Sequence, residues 1–463
     1  MSVASSLFYS SNDTEKQTLL RRISPSDEQF DEQKDRWNDL ADFLIDDLGT
    51  ISGYTIKTWL QGSYKFATQV RPVVKWDEFD IDLGVYFEWS GKATEGKYTP
   101  KELREMVQTS LKKYASLNMA DVQEVTKPKP RCCRIRYHNS FHIDVPVYHL
   151  NPDKDLRSLA TDDGWENSDP KKIYFWLRDG FDDLGRAKAR RFIKYIKAWA
   201  ALKFRSAQGR PSSILLTVLI VDAMENLGIN NISSDDDGVR DIIEQIIDRL
   251  EEDADVKNPV DQSENLARLT EGEMANFILK LKELLNTAVR ATNQDTEADA
   301  ADIWQEAFEH LFPLPEIDER LYEQKNALVP DSMPQIKVSA IGRGNSSFRS
   351  SSMNGIGPIP KDCDITFEVV NYHLLPSNAE IFWMVRNEGR EAELTNDLGH
   401  KAGTGRVIQE NSAYSGRHFM DCVVRANGRA IAVRRIPVTI TGTVMPRRNP
   451  ISAPAWRQFA RRR

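Results

Sequence analysis

Along the first fifty residues, Phe30, Trp37, Leu40, Leu44 and Leu48 recur at helical spacing with acids between them. That pattern predicts an amphipathic helix beginning near Ser26. The period then changes to two over residues 55–60 and 79–89, as strands require. Tyr98-Thr-Pro-Lys-Glu predicts the next helix start: Thr99 is the N-cap, Pro100 takes the first helical position and Glu102 reciprocates. Strand patterns return over residues 133–137 and 140–148. From about Pro170 to Phe312 helices dominate, interrupted by an acidic loop expected at residues 233–238. Pro315, Pro330 and Pro334 mark a linker. Beyond Ile336, short β-type runs separated by Gly, Asn and Pro predict a small β-rich domain.

The chain has 463 residues, more than one ordinary core, so several domains are expected. The pattern changes divide it into 1–165, 166–316, a linker 317–335, a β-rich domain 336–445 and a tail 446–463. The tail carries six arginines and no acid and is expected to be disordered. A formal charge of -7 argues against a chain that grips nucleic acid over its whole surface, yet leaves room for a local phosphate site. The four cysteines show neither zinc spacing nor a disulfide framework, so reduced thiols are expected. No charged leader precedes an apolar core, and no apolar run is long enough to span a bilayer. These features predict a soluble, cytoplasmic protein with no membrane partner.

The chemistry is concentrated in Phe79-Asp-Ile-Asp-Leu-Gly-Val-Tyr-Phe. Side chains alternate across a strand, so Phe79, Ile81, Leu83, Val85 and Phe87 share a core face while Asp80 and Asp82 share the other. Two adjacent carboxylates repel unless a cation compensates them. In Ser140-Phe-His-Ile-Asp-Val-Pro-Val-Tyr, Asp144 emerges opposite Phe141, Ile143, Val145 and Val147. If this strand lies beside the first, three carboxylates converge, a donor set that suits magnesium. Upstream, Gln61-Gly-Ser-Tyr offers a close backbone approach at Gly62 and a hydroxyl and N–H at Ser63. Either motif alone is common; in this order and together they are specific. A basic stripe of Arg190, Lys194 and Lys197 follows at helical spacing, ordinarily a solvated face. His138, His142 and His149 keep no zinc spacing with cysteine, and none is assigned to a metal.

Gly-Ser, then Asp-x-Asp, then a third strand Asp resembles the polymerase-β-type nucleotidyltransferase superfamily. Within it, the chain resembles the cGAS/DncV-like nucleotidyltransferases (CD-NTases), above all the DncV-type dinucleotide cyclases. Trp59-Leu-Gln-Gly-Ser-Tyr, Arg71-Pro, Phe79-Asp-Ile-Asp and His142-Ile-Asp-Val-Pro-Val-Tyr carry the match. Asn167-Ser-Asp-Pro-Lys, Lys194-Tyr-Ile-Lys-Ala-Trp and Pro211-Ser-Ser-Ile extend it. The resemblance implies an α+β fold, a polymerase-β-type core with a helical lobe, followed by a small β-rich domain. It further implies that Asp80, Asp82 and Asp144 are catalytic and bind Mg2+, with Mn2+ as a substitute. By the same resemblance, Gln61, Gly62 and Ser63 bind donor phosphates, Lys197 faces a triphosphate, and Ser212 or Ser213 contacts phosphate or caps a helix. The resemblance also implies that Arg134 lies near the nucleotides, and it gives Phe66 either a base to stack on or an ordinary place in the core.

Residues 367–371, 375–376, 381–389 and 414–418 resemble the AGS-C domain that follows CD-NTases, a sensor for a ligand not identifiable from sequence. The activity implied is a cyclic di- or oligonucleotide synthase using ATP and/or GTP in CBASS antiphage defence, its product read by a downstream effector protein. Two alternatives stand beside it: a template-independent RNA nucleotidyltransferase, and a nucleotide-binding sensor with a decayed site.

Overall fold

The computed structural model describes residues 3–12, 17–73, 77–138, 141–204, 206, 208–313, 333–344, 346–427 and 429–442. They belong to two compact units, 1–308 and 309–463. Most of the expected linker and the whole basic tail lie outside the described residues.

In the first unit, α1 (Ser5–Phe8), α2 (Leu19–Ile23) and α3 (Asp27–Ser52) precede β1 (Thr55–Gln61), α4 (Gly62–Lys65) and β2 (Phe79–Glu88). Next come α5 (Pro100–Leu117), β3 (Val122–Val125), β4 (Cys133–Tyr137), β5 (Phe141–Val145), β6 (Val147–Asn151), β7 (Leu156–Thr161) and β8 (Gly164–Asn167). The helical part holds α6 (Pro170–Asp179), α7 (Asp183–Lys203), α8 (Ser213–Leu227) and α9 (Asp235–Glu252). A hairpin of β9 (Lys257–Asn258) and β10 (Asp261–Asn265) separates these from α10 (Glu271–Thr292) and α11 (Glu297–Phe308).

Local chemistry sets the helix ends. Ser26 and Gln29 form a reciprocal capping box on α3, which stops at Gly53, where φ is +75°. Thr99 and Glu102 do the same for α5, with Pro100 leading. The strands run β3-β4-β5-β2-β6-β7-β8, with β1 paired antiparallel along β2. The strand expected over residues 140–148 is divided at Pro146, which has no N–H to give to a ladder. Its two parts, β5 and β6, keep one parallel register on β2, Phe79 opposite Phe141 and Val85 opposite Val147.

Phe79, Ile81, Leu83, Val85 and Phe87 are buried in one core with Leu40, Leu44 and Leu48 of α3 and Leu103, Val107 and Leu111 of α5. Each such side chain contributes about 1.5–3 kcal/mol on full burial. On the opposite face the alternation ends after Asp82, because Tyr86 is buried against Tyr148, their rings stacked at 4.8 Å. The polar face of β2 is therefore confined to its first half, where the carboxylates sit.

The acidic stretch at residues 233–238 is not a loop. Asp235, Asp236 and Asp237 form the first turn of α9, capped by Ser234. Carboxylates are favoured there by the helix dipole, and Arg191 pairs with Asp235 at 2.7 Å. The β9–β10 hairpin, too, interrupts the helices where none was expected.

The second unit contains two sheets, 336–342, 349–353, 363–369 and 407–411 in one, and 356–360, 380–386, 399–404, 416–426 and 429–441 in the other. Ile336, Val338, Ile365 and Phe367 of the first share one core with Trp383, Met420, Val424 and Ile436 of the second, so the sheets pack face to face. Among the described residues no helix is long and apolar enough to cross a membrane.

Candidate active site

The parallel register of β5 on β2 puts Asp82 opposite Asp144 and Asp80 opposite His142. Asp80 is exposed, Asp82 half-buried and Asp144 buried. β1 ends at Gln61, paired with Asp82, and α4 turns away at once through Gly62, where φ is +59°. A Cβ on Gly62 would lie 2.0 Å from Oδ2 of Asp82. The turn thus presses the backbone of Gly62 against the Asp82 carboxylate, an approach that a side chain at this position obstructs. Gly62→Ala is expected to push the Asp82 carboxylate aside and lower kcat/KM at least about a hundredfold in steady-state assays.

The three carboxylates differ electrostatically. Burial, then the charges of Asp80 and Asp144, push Asp82 well above the usual carboxylate range. Burial also pushes Asp144 up, but Arg134 and Lys129 outweigh it and hold that carboxyl below its usual value. Arg134, directly across the β4–β5 pair, grips both oxygens of Asp144, with Nη2 to Oδ2 at 2.8 Å. Lys129 Nζ and Cys132 Sγ each lie 3.4 Å from Oδ2. Asp82, crowded by two like charges and half-buried, is a group whose ionised form needs a cation; the donor set of hard oxygens fits magnesium.

Gln61, Gly62, Ser63, Phe66, Asp80 and Asp82 line one wall of a cavity of about 380 Å³. Lys197 and Ser213 face it from the helical part. The basic stripe is no solvated face: Arg190 donates to Phe66 O at 3.0 Å, Lys194 to Ser24 Oγ at 3.1 Å and Lys197 to Thr68 O at 2.8 Å. Burial, then the charge of Lys194, push Lys197 down to about 8, against the pull of Asp80 and Asp82. Ser212 instead caps α8, accepting from Leu215 N–H, and is not among the cavity's lining residues. The Gln61 amide is committed to two tyrosines, donating to Tyr86 at 2.7 Å and accepting from Tyr148 at 3.2 Å. Phe66 stacks on Tyr174 with centroids 6.0 Å apart.

Asn258, Asp261, Glu264 and Arg268 of the hairpin region, none of them singled out from the sequence, also line the cavity. The turn signal Asn258-Pro-Val-Asp261, between an acidic helix end and the Thr270 capping box, marks that hairpin.

Residues 56–148 match the family model of the cyclic GMP-AMP synthase DncV-like nucleotidyltransferase domain. Residues 306–441 match that of the adenylyl/guanylyl and SMODS C-terminal sensor domain, AGS-C. A cyclic GMP-AMP synthase of Escherichia albertii is 28% identical over 458 residues, spanning 98% of this chain and 99% of the relative. A c-di-GMP synthase of Roseivirga ehrenbergii is 26% identical over 268 residues, covering 50% of this chain and 68% of that protein. Among solved structures, Vibrio cholerae DncV cyclic AMP-GMP synthase with the linear intermediate 5′ pppA(3′,5′)pG aligns with a TM-score of 0.57. That alignment has 19% identity and covers 68% of this chain and 97% of the other.

Proposed function

Because this chain belongs to the CD-NTase family, with an AGS-C domain following its polymerase-β-type nucleotidyltransferase, we propose that it joins ATP and/or GTP into a cyclic dinucleotide or oligonucleotide. The observation that carries this reading is the convergence of Asp80, Asp82 and Asp144 on one face of β2 and β5, beneath the Gly62-Ser63 turn. The names of the relatives, cyclic GMP-AMP synthase and c-di-GMP synthase, support a cyclic product. The domain reading proposed with it is a catalytic core, 1–165, a helical lobe, 166–316, and an AGS-C domain, 336–445. Antiphage signalling through an effector that binds the product, within CBASS, belongs to the same proposal, as does a ligand for the AGS-C domain.

Two Mg2+ ions, or Mn2+ in their place, would supply activation of the attacking 3′-hydroxyl and neutralisation of the leaving pyrophosphate. Asp80 and Asp82 would hold both ions, and Asp144 the one beside the hydroxyl. The Gly62-Ser63 turn would meet the donor phosphates with backbone N–H groups and the Ser63 hydroxyl. Lys197 and Ser213, across the cavity, would fix the triphosphate. Phe66, already in an aromatic pair with Tyr174, would offer a ring to a base. Catalysis would consist of positioning and charge neutralisation.

The depressed Lys197 makes a pH prediction. Folding disfavours its ammonium, so its contribution lets stability rise with pH between about 8 and the unfolded value near ~10.4. Activity is expected to run the other way, because only the charged amine holds a triphosphate. In the free enzyme kcat/KM should fall above about pH 8. In Lys197→Arg, which stays charged, that alkaline limb is expected to disappear from the pH profile.

The function itself is tested with labelled NTPs and Mg2+, followed by phosphatase. A phosphatase-resistant labelled product is expected. Label transferred instead to an added RNA acceptor would favour the RNA nucleotidyltransferase.

A further inference from the structure

We infer that His142 is a nitrogen ligand to a divalent cation shared with Asp80 and Asp144. This inference rests on the reading of those carboxylates as metal-binding, and it adds a donor that the carboxylate triad does not include.

His142 stands on the polar face of β5, opposite Asp80 in the register with β2, and is only 7% exposed. Its Nδ1 lies 3.0 Å from Oε2 of Glu78. Arg136 secures that carboxylate, with Nε 3.0 and 3.1 Å from its two oxygens. A carboxylate so paired only accepts, so Nδ1 donates to Glu78 and Nε2 is the ring nitrogen turned to Asp80. Nε2 is 2.9 Å from Oδ1 of Asp80, yet it is buried and makes no hydrogen bond. So short an approach needs a positive charge: a proton on Nε2 makes it an ion pair with Asp80, and a cation held by both atoms takes that proton's place.

The separation itself has a meaning. Two adjacent ligands on an octahedral ion with bonds of about 2.1 Å are ~3.0 Å apart. Asp80, His142 and Asp144 each offer one ligand atom, and all three atoms lie within 4.8 Å of one another. Glu78 behind the imidazole completes the carboxylate–histidine–metal arrangement, in which the outer carboxylate fixes the tautomer and makes the ring a stronger donor.

The test is pulsed EPR on the full-length protein, stripped of metal and loaded with Mn2+. Nuclear modulation from a directly bound imidazole nitrogen is expected, replaced by the ¹⁵N pattern when the protein carries ¹⁵N-histidine. In His142→Gln the modulation should vanish while Mn2+ still binds, at least about tenfold more weakly by titration. Bound Mn2+ without a coordinated nitrogen in the wild type, or with the nitrogen signal intact in His142→Gln, would overturn the assignment. The wild-type spectrum decides even if the variant fails to fold. The triad reading fails separately: no Mn2+ binding by the wild type overturns it and this inference with it, whereas full binding by Asp82→Asn overturns the triad reading alone.

Discussion

Replacing Asp82 by Asn is expected to reduce nucleotide joining by on the order of 10³-fold or more while making the cation-free protein more stable. Both effects have one cause. Burial and the neighbouring charges of Asp80 and Asp144 hold the Asp82 carboxyl well above its usual range. A raised carboxyl means that the folded state binds a proton the unfolded chain has already released, starting near pH ~3.9. Stability therefore falls as pH rises from there through the folded value, and it stays lowered at higher pH. Asparagine removes the charge and the penalty. A gain of ~1 kcal/mol would raise the melting temperature of the 1–308 unit by roughly 1–2 °C, read by calorimetry in chelator. Saturating Mg2+ should reverse the order, because only the wild type gains the full binding free energy.

The second large effect is expected in the C-terminal unit. Arg386 and Asp421 are 3% and 0% exposed and form an ion pair between neighbouring strands. Arg386 also donates to His310 O at 2.8 Å and to Phe312 O, fastening the segment that leads into this unit. Arg386→Met would leave Asp421 charged and buried, with Arg435 Nε at 3.3 Å as its remaining cation. Breaking such a pair from one side costs about 3–5 kcal/mol, because the surviving charge has lost its compensation. In the full chain, urea denaturation should show the transition of this unit at lower denaturant. Arg386→Met with Asp421→Leu should recover most of the loss, since replacing both charges by apolar groups is often neutral.

How far the sequence could be read depends on the range of each interaction. The capping box at Thr99 is local and was legible residue by residue; at Ser26 the sequence reading reached only the helix start, not the box with Gln29. The face shared by Asp80 and Asp82 followed from alternation alone. Their meeting with Asp144 required a strand pairing that alternation leaves open; the parallel register supplies it. Asp235–Asp237 were misread because a run of acids suits a loop and a capped helix start equally. The burial of Lys197 and half-burial of Lys194 were hidden for a related reason: a basic stripe shows its spacing but not what packs on it. Arg134 opposite Asp144 and Glu78 behind His142 are cross-strand and second-layer partners, set by register and absent from any spacing.

Asp80, Asp82 and Asp144 are proposed to hold two cations against a nucleoside triphosphate seated under Gly62-Ser63. Anomalous diffraction from crystals of the full chain with Mn2+ and a non-hydrolysable ATP analogue tests it most directly. Two anomalous peaks are expected between Asp80 and Asp82, one of them also reached by Asp144, with the triphosphate along the Gly62-Ser63 turn and Lys197. Nucleotide bound elsewhere, or bound there with no metal peak beside these carboxylates, would contradict the account.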